Sequence, residues 1–155
     1  MIRTVKQEDA LALSKLLRSL SELRHVMAET AEISLGRVRA HLKRIVNNPD
    51  VSLLIDEENG VLNAYCHTIW HATLMHQGGE GYIAELFVHP DKRGKNIGSQ
   101  LLEQIRIEAK ARGCSRLCLL NMRNRPSYER GFYLKHGWVE RPLAANFIYD
   151  LKEKS

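Results

Sequence analysis

Residues 85–98 read Glu-Leu-Phe-Val-His-Pro-Asp-Lys-Arg-Gly-Lys-Asn-Ile-Gly, and this stretch decides which fold we expect. Its opening residues end an apolar run that predicts a strand, and Pro90 terminates that strand because proline cannot donate a ladder hydrogen bond. A short basic loop containing Gly94 follows. The apolar residues then recur at helical spacing, which predicts a helix over residues 97–111. The stretch is therefore a strand, a glycine-containing loop and a helix in direct succession.

The start of this predicted helix has the chemistry of an anion-binding site. The first N–H groups of a helix have no partner within it, and the helix dipole favours negative charge there. Gly94 and Gly98 allow a ligand to approach the backbone closely, and Arg93 and Lys95 add positive charge. The two commonest phosphate patterns, GxxxxGK[ST] and GxGxxG, do not occur. The residues alone leave two interpretations open, a pyrophosphate-binding loop or a plain connection with a glycine turn.

The pattern on either side predicts an order of elements β-α-α-β-β-β-α-β-α-β-β, and hence a mixed α/β sheet in one domain over residues 1–155. Before the loop we expect strands at 1–6, 51–55, 61–73 and 82–88, and helices opening at residue 7 and covering 33–47. A flexible connection is expected over 24–32, and Asn59-Gly60 predicts a hairpin. After the helix at 97–111 we expect a strand at 116–120, a helix near 127–135, and extended segments at 138–141 and 145–151.

The composition is that of a soluble globular protein. Of 155 residues, 44% are hydrophobic and 26% are charged. No apolar run approaches the length of about 20 residues that a membrane span needs, and no signal peptide is visible, so a cytoplasmic protein is expected. Three cysteines without a CxxC pair suit reduced, buried thiols. A net charge of +5 without interleaved aromatic residues favours a phosphate-rich cofactor over nucleic acid.

Two segments resemble motifs of the GCN5-related N-acetyltransferases (GNAT). Residues 93–98 are similar to the family's Q/R-x-x-G-x-G/A segment, and residues 131–138 to its F-Y-x-x-x-G-F/W segment, in the expected order. The resemblance extends over nearly the whole chain and implies a mostly antiparallel, twisted sheet flanked by helices. Asn96 replaces the first motif glycine, and asparagine is among the few other residues that tolerate a positive φ.

The resemblance implies that this chain binds acetyl-CoA as co-substrate, with the loop amides holding its pyrophosphate. The implied cofactor-binding residues are Leu86, Phe87, Val88, Arg93, Gly94, Lys95, Asn96, Ile97, Gly98, Ser99 and Asn124. Asn121 is an alternative to Asn124, because residues 124–129 lack the family's N-x-x-A approach to the tyrosine.

Direct acyl transfer needs a neutral amine, a donor for the oxyanion and a proton for the departing thiolate. Tyr133 matches the family tyrosine that protonates the thiolate, and Tyr128 is an alternative. Glu85 resembles a glutamate that some members use as general base; a structural hydrogen bond is its other interpretation. Strand alternation predicts that Ile83, Glu85 and Phe87 share one face. The resemblance implies direct transfer without an acyl-enzyme, so Cys66, Cys114 and Cys118 need no catalytic role.

Three histidines, His67, His71 and His76, raise the question of a metal, but no cysteine or well-placed carboxylate accompanies them and no metal site is predicted. One of them could line the acceptor pocket or relay a proton. Packing or exposure is the other interpretation.

The predicted acceptor is a primary amine of a small molecule, and the sequence does not identify it. Acidic residues in the expected acceptor region would attract a cation, and basic ones an anionic group: Glu22, Glu29 and Glu32, against Arg24, His25, Arg37 and Arg39. A protein or peptide N-acetyltransferase and a non-catalytic acyl-CoA-binding module remain alternatives. Exposed strand edges near the C-terminus are compatible with a homodimer.

Overall fold

The computed structural model describes residues 1–151, which fall into two compact units, Met1–Leu120 and a second unit that begins at Asn121. Five strands lie in the first unit: β1 (Ile2–Thr4), β2 (Val51–Glu58), β3 (Val61–His71), β4 (Glu80–Val88) and β5 (Arg116–Leu119). Its helices are α1 (Ala10–Arg18), α2 (Arg24–Met27), α3 (Ala31–Ile45) and α4 (Ile97–Ala111), with 3₁₀ turns at Gln7–Asp9 and Pro90–Lys92. The assignment of one domain over residues 1–155 stays a prediction.

The strands form one sheet in the order β1-β2-β3-β4-β5. The first three pairings are antiparallel, and β4 with β5 is parallel. The element pattern predicts a mixed sheet and the resemblance implies a mostly antiparallel one flanked by helices, and both expectations are confirmed. The β2–β3 hairpin turns at Asn59 and Gly60, which both have positive φ (53° and 78°), as a tight hairpin turn requires.

The sheet is covered by helices on both faces. On one face, the apolar sides of α1 and α3 bury Leu16, Leu42, Ile55 and Tyr65 in a single core. On the other face α4 packs against β2, β3 and β4 and buries its own apolar stripe. Alternation along β3 therefore sends Tyr65 towards α1 and α3, and the next residue, Cys66, towards α4.

A polar network fixes α4 on its face of the sheet. Trp70 Nε1 donates to Ser52 Oγ at 2.8 Å, and that hydroxyl donates to Glu108 Oε1 at 2.5 Å. The guanidinium of Arg112 lies 4.6 Å from the centre of a Trp70 ring and also bonds Glu108. Three elements, β2, β3 and α4, are thereby held in one arrangement.

The connection over residues 24–32 differs from the flexible segment expected. It contains α2, whose Val26 is buried, and Thr30 caps α3 by accepting a hydrogen bond from the Ile33 N–H at 3.2 Å. A buried side chain and a capped helix start order the connection, and neither feature follows from apolar periodicity.

The second unit also differs from the expectation. The helix expected near 127–135 is divided into α5 (Pro126–Glu129) and α6 (Phe132–Lys135), because Gly131 between them has φ 63°, which a continuous helix cannot contain. Residues 138–141 and 145–151, expected to be extended strands, form no strand. The described part of this unit offers no strand with which they could pair, and a strand is stable only in a ladder.

None of the helices within residues 1–151 combines the length and the apolar character that crossing a bilayer requires.

Candidate active site

The loop between β4 and α4 has the geometry of an anion site. Asn96 lies directly before α4 in the left-handed region (φ 64°, ψ 9°), so the expectation that asparagine replaces the motif glycine at positive φ is confirmed. The Gln100 N–H donates to the Asn96 carbonyl at 3.1 Å, so the amides of residues 97–99 precede the first full helical bond. The first turn of this 15-residue helix contains no acidic side chain, and Lys95 is exposed beside it.

Hydrogen bonds hold the loop in shape. His89 Nδ1 accepts from the Asp91 N–H at 3.2 Å, and the Arg93 N–H donates to the Pro90 carbonyl at 3.3 Å. The Arg93 guanidinium donates from Nε to the Val88 carbonyl at 3.1 Å and pairs with the Glu22 carboxylate at 2.6 Å. The positive charge of Arg93 is therefore paired with a carboxylate of the protein at the surface, and this side chain joins the loop to the α1–α2 connection.

The strand before the loop is paired on both sides only in its first half. β4 pairs with β5 from Glu80↔Arg116 to Ile83↔Leu119, whereas its pairing with β3 continues to Val88. Leu86, Phe87 and Val88, three of the predicted cofactor residues, thus lie on a half-open edge that leads directly into the loop. Their unpaired side can receive an extended ligand through backbone hydrogen bonds.

A bulge in β4 changes which side chains share a face. His67 pairs with Glu85 and Thr68 with Ile83, so Ala84 is an extra residue without its own partner. The predicted common face of Ile83, Glu85 and Phe87 is therefore wrong for Ile83, because the extra residue reverses the alternation. Glu85 stays on the face of Tyr65 and His67.

Glu85 is the centre of a polar group on the α1/α3 face. Its side chain is 49% exposed, and its Oε2 lies 3.9 Å from Nδ1 of His67, whose side chain is 12% exposed. The His67 ring meets that of His41 of α3 edge to face at 5.3 Å. The Tyr65 ring packs on Phe87 at 5.8 Å, and its hydroxyl is buried. We call Tyr65, His67, Glu85 and His41 the His67 cluster.

The environment shifts two pKa values in this cluster. Burial, followed by the neighbouring Glu85 carboxylate, raises the pKa of Tyr65 far above its usual value, so the phenol stays protonated. Burial is also the largest influence on His67 and, together with His41, lowers its pKa, while Glu85 opposes the change. His67 is therefore a neutral imidazole at neutral pH.

Sequence reasoning singled out Glu85 and His67 but missed Tyr65 and His41. The alternation of β3 places Tyr65 on the face of His67, two residues away, and that signal was available. His41 follows the buried Val38 by three residues on α3, but no local pattern indicates which strand that helix face meets.

The other two histidines considered for a metal, His71 and His76, have different surroundings from those of the His67 cluster. His71 Nε2 lies 3.5 Å from Glu80 Oε1, and the Glu80 carboxylate also accepts a hydrogen bond from Arg116 Nε. Nε2 of His76 is buried without a hydrogen-bond partner among residues 1–151. Across that same described range, no three His, Cys, Asp or Glu side chains come together in an arrangement suited to a metal ion.

The second unit contains the remaining predicted site residues. The Tyr133 ring lies in edge contact with Phe132 at 5.1 Å and with Trp138 at 5.9 Å. The Tyr128 hydroxyl donates to Glu140 Oε2 at 2.9 Å, and this hydrogen bond is the main cause that raises the pKa of Tyr128. Tyr128 is thereby a weaker acid than an ordinary tyrosine.

The two asparagines of this unit differ in their surroundings. Asn121 Oδ1 accepts a hydrogen bond from Ser127 Oγ at 3.1 Å, and Asn124 lies in the turn before α5. The roles of Tyr133 and Asn124 in the site stay predictions.

Comparison with known proteins gives consistent matches. A family model described as an acetyltransferase (GNAT) domain matches residues 49–140. An IAA acetyltransferase of Azospirillum brasilense is 36% identical over 93 residues, which are 60% of this chain and 58% of that protein. The match thus spans less than two thirds of that relative's length.

Solved structures match over almost the whole chain. A transcriptional regulator from Bacillus halodurans C-125 superposes with a TM-score of 0.79 at 24% identity, covering 95% of this chain and 99% of the other. Glucosamine-6-phosphate N-acetyltransferase from Arabidopsis thaliana gives 0.76 at 19% identity, covering 97% and 98%. Ribosomal-protein-alanine N-acetyltransferase from Brucella melitensis biovar Abortus 2308 gives 0.73 at 20% identity, covering 97% and 98%. At these identities the likeness is one of fold.

Proposed function

The chain belongs to the acetyltransferase (GNAT) domain family, and from this membership we propose that it transfers an acetyl group from acetyl-CoA directly to a primary amine of a small molecule. One observation carries the proposal: the Asn96 turn opens α4 with an acid-free first turn and follows directly on the half-open edge of β4. The half-exposed Glu85 carboxylate lies on that same half of β4.

The loop fits the pyrophosphate of coenzyme A. The amides at the start of α4, from Ile97 to Ser99, supply donors, the helix dipole favours the negative charge, and exposed Lys95 adds a cation. The edge at Leu86–Val88 would hold the amides of the pantetheine arm, with Asn124 as a further contact. Acetyl-CoA, when bound, supplies the acetyl thioester.

Glu85 is proposed to take a proton from the acceptor ammonium so that the neutral amine can attack. Its exposure leaves the carboxylate accessible, and the β4 bulge keeps it on the face of His67. Tyr133 is proposed to give a proton to the departing thiolate, because a phenol is a suitable donor. Its proposed role rests on the sequence motif.

The acceptor is proposed to be a small molecule with a single amino group. Glu22 and Glu29, two of the carboxylates expected to attract a polycation, are paired with Arg93 and Arg37 at 2.6 Å each. Glu32, the third, is exposed in the first turn of α3, and Glu85 is the carboxylate proposed to receive one ammonium group. The named enzymes of this fold include one that acts on glucosamine-6-phosphate and one that acts on a ribosomal protein, so a peptide acceptor is the main alternative.

The homodimer also stays a prediction. The strand edges near the C-terminus on which it rested are not present in the described part of the second unit.

Titration calorimetry with acetyl-CoA tests the cofactor site. We expect saturable binding to the wild type and at least tenfold weaker binding to Gly98→Asp, since a carboxylate at the first turn repels phosphate and occupies the cradle. Gly36→Asp is the matched control, because that glycine is exposed on α3 and a side chain there meets no atom within 4 Å. Equal affinity of Gly98→Asp and wild type would remove the loop from the site.

A thiol-release assay with acetyl-CoA tests the reaction. The acceptors should include monoamines, polyamines, aminoglycosides, amino sugar phosphates and peptides. Release with a small monoamine supports the proposal, whereas release only with peptides assigns the alternative. Binding of acetyl-CoA without release on any acceptor would indicate a non-catalytic acyl-CoA-binding module.

A further inference from the structure

The His67 cluster contains a buried group that the proposed reaction leaves unexplained. Nε2 of His67 is shielded from solvent and makes no hydrogen bond within the described part of the chain. Buried polar atoms are nearly always paired in folded proteins, so an unpaired imidazole nitrogen calls for a functional reason. The other nitrogen of the same ring, Nδ1, lies 3.9 Å from Glu85 Oε2, and this pairing supplies one.

The geometry around His67 is fixed from three elements. β3 carries His67 itself, and the cross-strand register places Glu85 of β4 directly opposite. From α3, His41 lies edge to face against the imidazole at 5.3 Å, which restricts rotation of the ring. Nδ1 consequently faces the Glu85 carboxylate at 3.9 Å, a separation that a small side-chain adjustment or one bridging water closes.

Three influences act on the charge of the His67 ring, and they do not all act in one direction. Burial and His41 both disfavour the imidazolium, while Glu85 favours it. On the same face, Tyr65 stays neutral because burial raises its pKa, and Arg37 of α3 is a cation that acts on Tyr65 in the opposite direction. His67 therefore begins neutral, with a carboxylate beside it that stabilises the proton once it arrives.

We propose that His67 and Glu85 act as a pair in which Glu85 contacts the acceptor ammonium and His67 holds the proton, with His41 positioning the imidazole. This inference deepens the proposed function and rests on it. In the step, an N–H bond of the ammonium breaks and its proton passes to the Glu85 carboxylate. The proton then moves to Nδ1 of His67, which restores the carboxylate and leaves an imidazolium–carboxylate pair. The proton returns to solvent through Glu85 after product leaves.

The pair does what an isolated carboxylate does poorly. A free carboxylic acid has a pKa of about 4.3 and an alkylammonium about 10.4, so proton transfer from an ammonium group to an ordinary carboxylate is strongly uphill. An imidazole with an ordinary pKa of about 6.5 narrows that gap by about 2 pKa units, and general bases work best near the operating pH. Burial lowers the pKa of His67, so its gain over a carboxylate is at most this. Glu85 supplies access and His67 supplies basicity.

The first test is an NMR titration of the His67 imidazole in the wild type, Glu85→Gln and His41→Phe. Glu85 raises the pKa of His67, so Glu85→Gln should lower its midpoint; His41 lowers it, so His41→Phe should raise it. His41→Phe keeps a ring for the edge contact. If neither substitution changes the midpoint of the His67 titration, the proposed pair is overturned, whatever the activity of the enzyme.

The second test is the pH profile of kcat for the acceptor found by the thiol-release assay. His67→Gln should lower kcat at least tenfold with KM changed less than threefold, and the acid limb below about pH 6.5 should disappear. His41→Phe should move that limb to higher pH. His71→Gln, the same change four residues along the strand on a ring paired with Glu80, should leave the profile intact.

These outcomes separate the inference from the proposed function. A wild type that acetylates no acceptor refutes the proposed function, while the NMR titration still decides whether the pair exists. If the wild type is active and His67→Gln, shown by circular dichroism to be folded, has the same pH profile of kcat, the inference is overturned and the proposed function still stands.

Discussion

Asn96 shows how a single backbone angle supports a binding loop. Its φ of 64° places the chain so that the α4 amides open towards the loop. Left-handed backbone costs an ordinary L-residue about 1–2 kcal/mol, and asparagine and glycine bear it best.

Substitutions at Asn96 should therefore rank by their tolerance of positive φ. Asn96→Val should lose about 1–2 kcal/mol of acetyl-CoA affinity or stability, because a β-branched residue resists this angle. Asn96→Gly should retain both, and it is the matched control. Calorimetry together with thermal unfolding measures the change. Equal behaviour of the valine and glycine variants would show that the loop does not depend on this angle.

The two tyrosines of the second unit should behave differently on loss of their hydroxyl groups. Tyr133→Phe should lower turnover at least tenfold at saturating acetyl-CoA and leave cofactor affinity nearly unchanged, since only the proton donor is removed. Tyr128→Phe removes a hydroxyl already engaged with Glu140 and should keep most of the activity. Full turnover by Tyr133→Phe would remove Tyr133 from the acid role.

At this scale the sequence predicts the loop well and the cluster only in part. Residues 93–98 are contiguous, so their spacing shows a strand, a turn and a helix start at once. The His67 cluster joins residues from three elements, and His41 reaches it only through the packing of α3 on the sheet. The bulge at Ala84 reverses which face of the sheet the β4 side chains occupy. The sequence does not signal it, because alanine is compatible with either face of a strand.

Gly81 shows how closely the strands and side chains pack in the first half of β4. A Cβ at this position would lie 2.7 Å from Leu117 Cδ2 and 2.8 Å from Trp70 Cε3, nearer than such atoms approach. The glycine therefore leaves room for the Trp70 ring, which is also held by Ser52 and Arg112.

Gly81→Ala should lower the free energy of unfolding by about 1–3 kcal/mol through overpacking. Gly36→Ala, in an open position on α3, should instead be neutral or raise it by up to about 1 kcal/mol, because alanine favours a helix. Urea unfolding of both variants measures the difference. Equal stability of the two would mean that the Trp70 ring moves aside without cost.

Elements were predictable where both ends carry a signal. The α4 helix spans residues 97–111 as predicted, between a turn residue and Gly113. The second unit was less predictable, because its short helices depend on the backbone angle at Gly131. Its extended segments read as strands by residue type, yet a strand also requires a partner that local sequence does not name.

For the first unit as a whole, an ion-pair group links the chain's first strand to the rest of the sheet. Arg3 of β1 donates two hydrogen bonds of 2.8 Å to Asp9 and one of 2.9 Å to Glu57 of β2. The Arg3 hydrogen bond is the largest cause that lowers the pKa of Asp9; the Lys6 backbone N–H adds to it, and burial opposes both.

Acid should therefore destabilise the protein partly through Asp9. A depressed folded-state pKa contributes stability above the ordinary value of about 3.9, and this contribution is lost as pH falls through the lower value. Asp9→Asn should reduce stability by about 2 kcal/mol at pH 7 and flatten the fall below about pH 5. Glu8→Gln, an exposed neighbour, is the control, and urea unfolding across pH measures both. A slope unchanged in Asp9→Asn would contradict this account.

The half-open edge of β4 should also make ligand binding measurable by hydrogen–deuterium exchange. Amides in the first half are enclosed between β3 and β5, whereas alternate amides from Glu85 to Val88 point away from β3 and past the end of the β5 pairing. In deuterated solvent the two halves of one strand should exchange at rates that differ by orders of magnitude, since exchange follows local protection. A ligand that lies along the edge should slow the fast set and leave the slow set unchanged. Mass spectrometry of one peptide could then rank acyl-CoA analogues before any acceptor is known.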